Sequence, residues 1–458
     1  MTARLRRLID ELADAFWLFP AMLVLAGVLG ALALVGLDRS GLVPGWMLEE
    51  WFYNGGATGA RTLLGTVASS IIGVAGTVFS IMIAALSLAA GQMGPRLLRN
   101  FTKDRGNQFT LGVFLGTFCY ALIVLRSVRT AAEGAFIPHL SLTVAILLAF
   151  VCVATLVYFV GHMAGRINVD TVIELVSDEI QSAIRRLTTE QRRDQVLPAG
   201  FCEDRTVIVD PRQGYLQHLD ERGLADWAAE HNTSIRMLVR PGHFVFQGAP
   251  IAVMSNPVEG AAAAIQNATA LGPQRVSSAD LEFAVRQLVE VAVRALSPGI
   301  NDPHTAMSAI DRLGAALCEL VPRHLPSGIS CRDGRPVMFV PHVQYEGLLN
   351  VMFHMIRQNA SANAAVLIRI LEVLTAVVGV ERDPARLTCL EVHADLVAGD
   401  ARRNLSTPAD LRDVDRRHEA FLVMLREGPP GPLGHLDAAW AETNGHRART
   451  KSRADNAE

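Results

Sequence analysis

The chain has 458 residues, of which 50% are hydrophobic, a mean hydropathy of +0.27 and a formal net charge of -3. This hydropathy is too high for an ordinary soluble protein, and the nearly balanced charge gives no basic field that would indicate nucleic-acid binding. The 6 cysteines form no CxxC pair, and lysine occurs only as Lys103 and Lys451. We therefore expect no disulfide framework, no metal site, no lysine-bound cofactor and no nucleic-acid partner.

Long apolar segments dominate the first third of the chain. A transmembrane helix needs about 20 mostly apolar residues. Segments that satisfy this lie at about 15–37, 64–90, 108–126 and 138–164. We therefore predict a transmembrane domain of four helices over residues 1–164, surrounded by the lipid bilayer.

Basic residues at the ends of these segments predict the orientation, because cytoplasmic loops carry an excess of arginine and lysine. The segments before the first span and after the second hold most of them: Arg4, Arg6, Arg7, Arg96, Arg99, Lys103 and Arg105. The loops on the other side hold fewer. This bias predicts that both termini lie in the cytoplasm.

Small and hydroxylated residues line one side of the second span. At about 100° per residue they fall within one arc. We call this set the hydroxyl stripe: Thr66, Ser69, Ser70, Gly73, Thr77, Ser80 and Ser87, with Ala84 and Gly91 on the same arc. Small-residue stripes commonly serve close helix packing. The other interpretation is that the stripe lines a pathway in a homo-oligomer. The centres of the spans hold no Asp, Glu or Lys, which disfavours ion-coupled transport but leaves passive conduction open.

The region that follows the spans changes its periodicity twice. Residues 165–200 predict an amphipathic helical stem, which packs either on its own chain or in a coiled coil between subunits. Residues 201–260 predict a small β module with five short strands, "TVIV", "GYLQHL", "SIRMLV", "HFVF" and "PIAVM", and a helix "LADWAAEH" between the second and third. The run "VRPGHFVFQGAPIAVM" is similar to the turn of a biotinyl/lipoyl-type barrel, but it has no lysine to modify and a general β module is favoured.

The remainder of the chain predicts helices and then a polar tail. A helical cytoplasmic domain over 261–427 begins with "DLEFAVRQLVEVAVRAL". Further helices are predicted at about 303–321, 345–358, 363–379 and 408–426. Residues 428–458 are rich in Pro and Gly, then polar, and are predicted to be disordered. The predicted fold class is an α-helical membrane protein with four transmembrane helices followed by an α+β cytoplasmic region.

The segment 294–311, "RALSPGINDPHTAMSAID", interrupts two helical patterns with polar residues. Ser297, Asp302 and His304 are the residue types of a hydrolytic triad. They share one turn, however, and no GxSxG elbow is present, so we predict no catalytic site and no enzyme. Helix capping by Asn301 or Asp302, with Pro303 at the first helical position, explains part of the motif.

Capping alone does not require Asn301, His304 and Thr305 together. One interpretation is therefore a ligand motif made of Asn301, Asp302, Pro303, His304 and Thr305, at a helix N-terminus that attracts anions. Another is a hinge, in which Asp302 pairs with Arg357. The residues His342, Glu346 and His354 lie close in sequence but have no recognised metal-ligand spacing, so no metal site is predicted.

Two longer motifs carry a family resemblance. They are "GQMGPRLLRNFTKDRGNQFTLGVFLGTFCYALIVLRSVR" and "ALSPGINDPHTAMSAIDRL". The chain resembles, over nearly its whole length, the bacterial membrane-protein family catalogued as domain of unknown function 2254. The resemblance implies a multi-pass inner-membrane protein with an N-terminal membrane domain and a cytoplasmic C-terminal region. It implies no activity.

Two functions fit these predictions. The leading one is an oligomeric channel-like or solute-permeation protein, with the hydroxyl stripe facing the pathway and the cytoplasmic domain acting as a gate. The alternative is a membrane-anchored sensor or scaffold, in which the stripe packs helices and the motif at 294–311 binds a partner or ligand.

Overall fold

The structure is a computed structural model that describes residues 16–40, 56–93, 104–130, 136–166, 168–191, 197–202, 206–275 and 280–429. The predicted tail beyond residue 429 and most of the basic residues used for the orientation lie outside these ranges. The chain forms two compact units, one ending at Thr171 and the other beginning at Val172. Each unit has its own fold.

The first unit contains helices α1 Leu18–Ser40, α2 Ala57–Met93, α3 Arg105–Ser127 and α4 His139–Arg166. All 4 are long and apolar enough to cross a membrane. This confirms the four predicted spans, and α2 extends beyond its predicted segment 64–90 at both ends. Apolar clusters fill the interior of the unit, around Phe114 and Phe159 in one half and around Leu142 and Tyr120 in the other.

Helix α3 is central to the first unit because it contacts each of the other three helices. Glycines permit its approach to α1. A Cβ atom on Gly27 would lie 2.5 Å from the carbonyl oxygen of Gly116, and a Cβ on Gly116 would lie 2.8 Å from the carbonyl oxygen of Leu23. Gly112 and Gly116 are four residues apart, which is the spacing of a small-xxx-small helix contact. The sequence carries this signal, although our sequence interpretation considered only the stripe on the second span.

A carboxylate joins α1 to the start of α4. Asp38 accepts hydrogen bonds from the backbone N–H groups of Leu140 and Ser141, at 3.1 and 3.0 Å, and from the Ser141 hydroxyl at 2.6 Å. The Tyr120 hydroxyl donates to the carbonyl oxygen of Ser141 at 2.9 Å. These bonds satisfy N–H groups that a helix start otherwise leaves without partners, so three helices are tied together at this end.

The second unit contains nine helices and eight strands within the described residues. The helices are α5 Val169–Leu187, α6 Glu221–Glu230, α7 Ala261–Ala268, α8 Leu281–Ala295, α9 Pro303–Leu320, α10 Tyr345–Asn359, α11 Ala364–Val380, α12 Pro384–Asn404 and α13 Pro408–Glu427. The strands are β1 Thr206–Val209, β2 Gly214–Leu219, β3 Ile235–Met237, β4 Phe244–Val245, β5 Pro250–Met254, β6 Thr269–Gly272, β7 Ile329–Arg332 and β8 Arg335–Phe339.

The stem helix α5 buries its apolar face within the chain. Ile173, Val176 and Ile180 are among its buried residues. At its end, the Arg323 guanidinium donates to the Thr188 hydroxyl at 2.6 Å and to the carbonyl oxygen of Arg185 at 3.0 Å. An inter-subunit coiled coil needs this apolar face exposed, so the structure favours packing on the stem's own chain.

All five strands expected between residues 205 and 257 form, as does the helix between the second and third. They belong to a five-stranded sheet of order β1-β5-β3-β8-β7 and a three-stranded sheet of order β4-β2-β6. Strands β4 and β5, which flank the barrel-like turn, lie in different sheets. Strand β8 pairs in parallel with β3, so the hairpin at 329–339 joins the β module from a distant part of the chain.

We did not expect this hairpin, although the sequence marks it. Asp333 and Gly334 have φ angles of +49° and +75°. An Asp-Gly pair with positive φ at both positions is the preferred turn of a two-residue hairpin. The D-G dipeptide was therefore the signal that the helical interpretation of this region overlooked.

The predicted helices after residue 278 form as α8, α9, α10, α11 and α13. Helix α12 was not predicted. It buries charged and polar side chains, among them Arg386, His393 and Asp400, and these interrupt its apolar pattern. Its start carries the same Asp-Pro signal as α9, since Asp383 caps the helix and Pro384 follows.

Candidate functional site

The motif at 294–311 is the end of α8 followed by the capped start of α9. The Asp302 carboxylate accepts hydrogen bonds from the backbone N–H groups of His304 and Thr305, both at 3.1 Å, and from the Thr305 hydroxyl at 2.6 Å. The hydrogen bond from the Thr305 hydroxyl is the largest influence that lowers the pKa of Asp302. Pro303 occupies the first turn of α9. The start of α9 thus accounts for Asp302, Pro303 and Thr305, which cap the helix or form its first turn.

Asn301 has a backbone role. Its φ of +49° lies in the left-handed region, which asparagine tolerates better than most residues. Its N–H donates to the carbonyl oxygen of Ser297 at 2.8 Å, and the next N–H, of Asp302, donates to that of Ala295 at 2.7 Å. Asn301 therefore supports the turn between two helices, which our sequence interpretation had left unexplained.

The three residues of triad type do not form a relay. The Ser297 hydroxyl donates to the carbonyl oxygen of Arg294 at 2.6 Å. Asp302 is occupied at the start of α9, and His304 is exposed. In a hydrolytic relay the serine hydroxyl bonds to the histidine, and the histidine bonds to the carboxylate. The motif does not provide this arrangement.

The expected pair between Asp302 and Arg357 is not formed. The Arg357 guanidinium bonds instead to the carboxylate of Asp400 on α12, and both residues are buried. Arg403 contacts the same carboxylate. The hinge interpretation was wrong about the partner because it did not include α12, the helix that carries Asp400.

Arg357 and Asp400 belong to a polar seam between α10 and α12, in which Arg357, His393 and Asp400 are buried and Asn350 and His354 are half-buried. His393 Nε2 lies 3.1 Å from Asn350 Oδ1. The rings of His354 and His393 have centroids 5.0 Å apart. The pairs Asn350–His393 and Arg357–Asp400 are both 43 residues apart, so the two helices run parallel along the seam.

Burial controls the protonation of the polar seam. It lowers the pKa of His393 to about 4, with smaller contributions from the charges of His354 and Arg357. Burial also lowers the pKa of His354. Desolvation disfavours the charged imidazolium, so both imidazoles are neutral at pH 7.

The seam does not have the ligands of a zinc site. His354 and His393 offer two imidazoles, whereas zinc takes three or four protein ligands, and the positive charge of Arg357 lies beside them. Among the residues that the structure describes, no group of three or more His, Cys, Asp or Glu side chains could hold a metal ion. His342 bonds through Nδ1 to the carbonyl oxygen of Val340 at 2.8 Å and belongs to no such group.

The hydroxyl stripe faces away from the other helices of its unit. All seven of its residues are exposed. The opposite side of α2 is buried: Leu64, Ala68, Ile71, Ala75, Val78 and Met82. A Cβ atom on Gly73 would meet nothing within 4 Å. Close packing against the described residues of the same chain therefore does not explain the stripe.

The hydroxyls of the stripe bond to their own helix. Thr66 donates to the carbonyl oxygen of Thr62 at 2.8 Å, and Thr77 to that of Gly73 at 3.2 Å. Ser80 does the same with Gly76 at 2.9 Å. Each hydroxyl oxygen keeps its acceptor lone pairs, so the stripe presents a row of acceptors on the outside of the unit.

A second group of polar residues lies at the start of α3. We call Asp104, Asn107, Tyr158 and His162 the polar end cluster. Asp104 Oδ1 accepts a hydrogen bond from the Gly106 N–H at 3.0 Å, and Asp104 Oδ2 lies 2.5 Å from His162 Nε2. The ring of His162 stacks on that of Tyr158, with centroids 5.4 Å apart. Our sequence interpretation did not single out this group, since Asp104 and Asn107 lie more than 50 residues before Tyr158 and His162 in the chain.

These features define an α-helical membrane protein, with four membrane-capable helices followed by a region of small sheets and helices. The chain belongs to the family described as predicted membrane protein (DUF2254), whose model matches residues 13–376. This confirms the resemblance inferred from the two motifs.

The chain is similar to uncharacterized proteins of Mycobacterium tuberculosis, strains CDC 1551 and H37Rv, and of Mycobacterium bovis. Each is 30% identical over an alignment that covers 96% of this chain and 87% of the relative. No solved structure matches the chain.

Proposed function

We propose that the protein forms a homo-oligomer in which the hydroxyl stripes of several copies line a pathway for passive permeation of a small solute. The outward position of the stripe supports this proposal. Elsewhere the exposed surface of the membrane helices carries many large apolar side chains, which suit contact with lipid tails. On α1 and α4 these are Met22, Leu25, Leu29, Leu32, Leu147, Phe150, Val153, Val157 and Val160. The outer surface of α2 also exposes Ile72, Phe79, Ile81 and Ile83, but a continuous row of small residues and hydroxyl oxygens runs beside them.

Chemistry favours conduction over coupled transport. Hydroxyl oxygens replace part of the hydration shell of a permeating solute. The stripe carries no ionisable group, and an ion-coupled mechanism usually depends on one inside the membrane. Apolar clusters fill the interior of a single unit, so a pathway along the axis of a symmetric oligomer is the arrangement that uses the stripe.

The proposal includes a bacterial inner-membrane location with both termini in the cytoplasm, which the arginine bias supports. The unit that begins at Val172 follows α4 directly in the chain through the stem helix α5. We propose that this second unit gates the pathway. Its capped motif at 294–311 exposes His304 and Ile300, and these side chains are where a regulatory ligand or partner would bind.

The test is flux from proteoliposomes loaded with small ions or osmolytes, after the oligomeric state has been measured in detergent. We expect an oligomer, and we expect Ser80→Leu to reduce the flux because leucine fills the pathway. Gly161→Leu is the matched control, since Gly161 is exposed on α4 and a Cβ there meets nothing within 4 Å. A folded monomer, or an oligomer without flux for any solute, would contradict permeation.

The alternative proposal is a membrane-anchored sensor or scaffold. In that case the stripe packs α2 helices of neighbouring copies against one another, since small residues let backbones approach closely. The exposed tip of the motif at 294–311 favours this alternative as a docking point. An oligomer that conducts nothing, but loses its assembly in Ser80→Leu, would support it.

A further inference from the structure

Asn107 on α3 is buried without hydrogen-bond partners. Its exposed fraction is 1%. Neither its Oδ1 nor its Nδ2 atom has a partner in the described part of the chain. A buried amide without partners is costly, and in native proteins such a group usually marks ordered water, an ion or a functional constraint.

The two amide atoms define the chemistry of what binds there. Oδ1 accepts a hydrogen bond, and Nδ2 donates two. A metal cation would satisfy only Oδ1, and an anion would satisfy only Nδ2. A water molecule donates and accepts, so it satisfies both. A neighbouring copy of the chain cannot supply these bonds, because the amide is enclosed by its own unit.

The surroundings are polar enough to hold water. Asp104, which caps α3 three residues before Asn107, pairs with His162, and their side chains are 5% and 18% exposed. A Cβ atom on Gly106 would lie 2.7 Å from His162 Nε2 and 3.0 Å from the Tyr158 hydroxyl. Glycine at this position therefore lets polar groups approach the backbone of α3. Buried Thr110, one turn after Gly106, donates its hydroxyl to the Gly106 carbonyl oxygen at 2.9 Å, and its own oxygen keeps acceptor capacity.

We propose that the polar end cluster, together with Thr110, forms an internal water-binding site in which Asn107 is the central ligand. Buried water needs two to four polar partners, and the Oδ1 and Nδ2 atoms of Asn107 supply two of them. The bound water hydrates the Asp104–His162 pair inside an otherwise apolar unit. This inference goes beyond permeation through the stripe and does not depend on it, because the site lies inside one unit and the stripe lies outside.

Radiolytic footprinting of the full-length protein in ¹⁸O-labelled water tests the site. X-rays convert bound water to hydroxyl radicals, which oxidise the nearest side chains even when these are buried. Met163, next to His162 in the chain, is the reporter. Cys152 on the same helix is the matched control, since it also carries sulfur, is equally buried and lies about 16 Å away along α4.

We expect several-fold more ¹⁸O at Met163 than at Cys152 in the wild-type protein, and loss of this excess in Asn107→Leu. Asn107→Ser should keep the excess, because serine still donates and accepts a hydrogen bond. Equal protection of Met163 and Cys152 in the wild-type protein would overturn the proposal, even if Asn107→Leu does not fold. An excess that persists in a folded Asn107→Leu variant would overturn it as well. Flux is not the readout, so failure of this test is distinct from failure of the permeation proposal.

Discussion

Arg357 and Asp400 form a buried ion pair between two parallel helices, and this pair replaces the expected contact between Asp302 and Arg357. The sequence predicted the helix that carries Arg357, at about 345–358, and the one after it, at about 363–379, but not α12. The partner of Arg357 lies on α12, whose buried charges hide the apolar periodicity by which helices are recognised. We expect the pair to favour this packing of α10 on α12 over others, because either charge would be costly if it were buried without the other.

We expect Asp400→Ala to lower the free energy of unfolding by about 3–5 kcal/mol, because Arg357 then remains buried without its main counter-charge. Urea unfolding of the purified protein measures this. Asp415→Ala is the matched control. It removes a carboxylate from the exposed Arg402–Asp415 pair, and such pairs contribute about 0–1 kcal/mol. Equal effects of the two substitutions would show that burial of the Arg357–Asp400 pair has no energetic consequence.

A double-mutant cycle checks the pairing itself. Asp302 and Arg357 have separate partners, so we expect the effects of Asp302→Asn and Arg357→Gln to be additive within about 0.5 kcal/mol. Arg357→Gln and Asp400→Ala should be coupled. Coupling between Asp302 and Arg357 instead would restore the hinge interpretation.

The turn between α8 and α9 gives a prediction about Asn301. Because its φ is +49°, Asn301→Ala should destabilise the protein by about 1 kcal/mol, whereas Asn301→Gly should be nearly neutral. Thermal unfolding of both variants measures the difference. If Asn301→Gly keeps full stability but abolishes a measured activity, the asparagine side chain has a role in ligand binding as well.

The cap of α9 gives a prediction about pH. The pKa of Asp302 is lowered below its ordinary value of 3.8 in the folded protein. The stabilisation from the ionised carboxylate is therefore present above about pH 4 and is lost as the pH falls through the folded pKa. At pH 7 we expect Asp302→Ala to cost about 1 kcal/mol. This difference from the wild-type protein should shrink in unfolding measured near pH 3.

His393 should make the stability of the second unit sensitive to acid over a higher pH range than Asp302 does. Its pKa falls from 6.5 to about 4 on folding. The neutral imidazole therefore contributes full stability above about pH 6.5, and this contribution is lost as the pH falls from 6.5 towards 4. The loss by pH 4 is about 3 kcal/mol, from about 1.4 kcal/mol for each pKa unit.

Unfolding midpoints between pH 7.5 and pH 4.5 measure this effect. His393→Gln keeps a polar side chain that does not titrate, so we expect it to flatten the pH dependence. His304→Gln is the control, because His304 is exposed on α9 and is not part of the polar seam. If the unfolding midpoint of His393→Gln depends on pH as that of the wild-type protein does, burial of the His393 imidazole is not the cause of the acid sensitivity.

The glycine contact between α1 and α3 predicts a difference between two identical substitutions on one helix. Gly27→Ala places a methyl group 2.5 Å from the Gly116 carbonyl oxygen, whereas at Gly30 the same methyl group meets nothing within 4 Å. Overpacking of this kind costs about 1–3 kcal/mol. We expect a lower unfolding temperature in detergent for Gly27→Ala and no change for Gly30→Ala. Equal unfolding temperatures of the two variants would contradict the close contact between α1 and α3 at Gly27.

Local features were visible in the sequence. The four spans follow from the length of their apolar segments. Strand positions in the β module follow from short β-type runs between turn residues, and Asp302 with Pro303 marks the start of α9. Each of these signals lies within a stretch of about ten to twenty residues. It can therefore be recognised without knowing which distant residues the element contacts.

Tertiary structure decided where these elements face and which distant residues they meet. The hydroxyl stripe could be recognised on a helical wheel, but its direction could not, because lipid is as apolar as the inside of the bundle and hydropathy does not distinguish the two. Strand β8 pairs with β3, and Asp400 meets Arg357, only because the chain returns from far away. Likewise, Asn107 is an ordinary polar residue at the start of a helix until packing encloses it. The sequence by itself determined the elements, whereas long-range packing decided the partners of their polar groups.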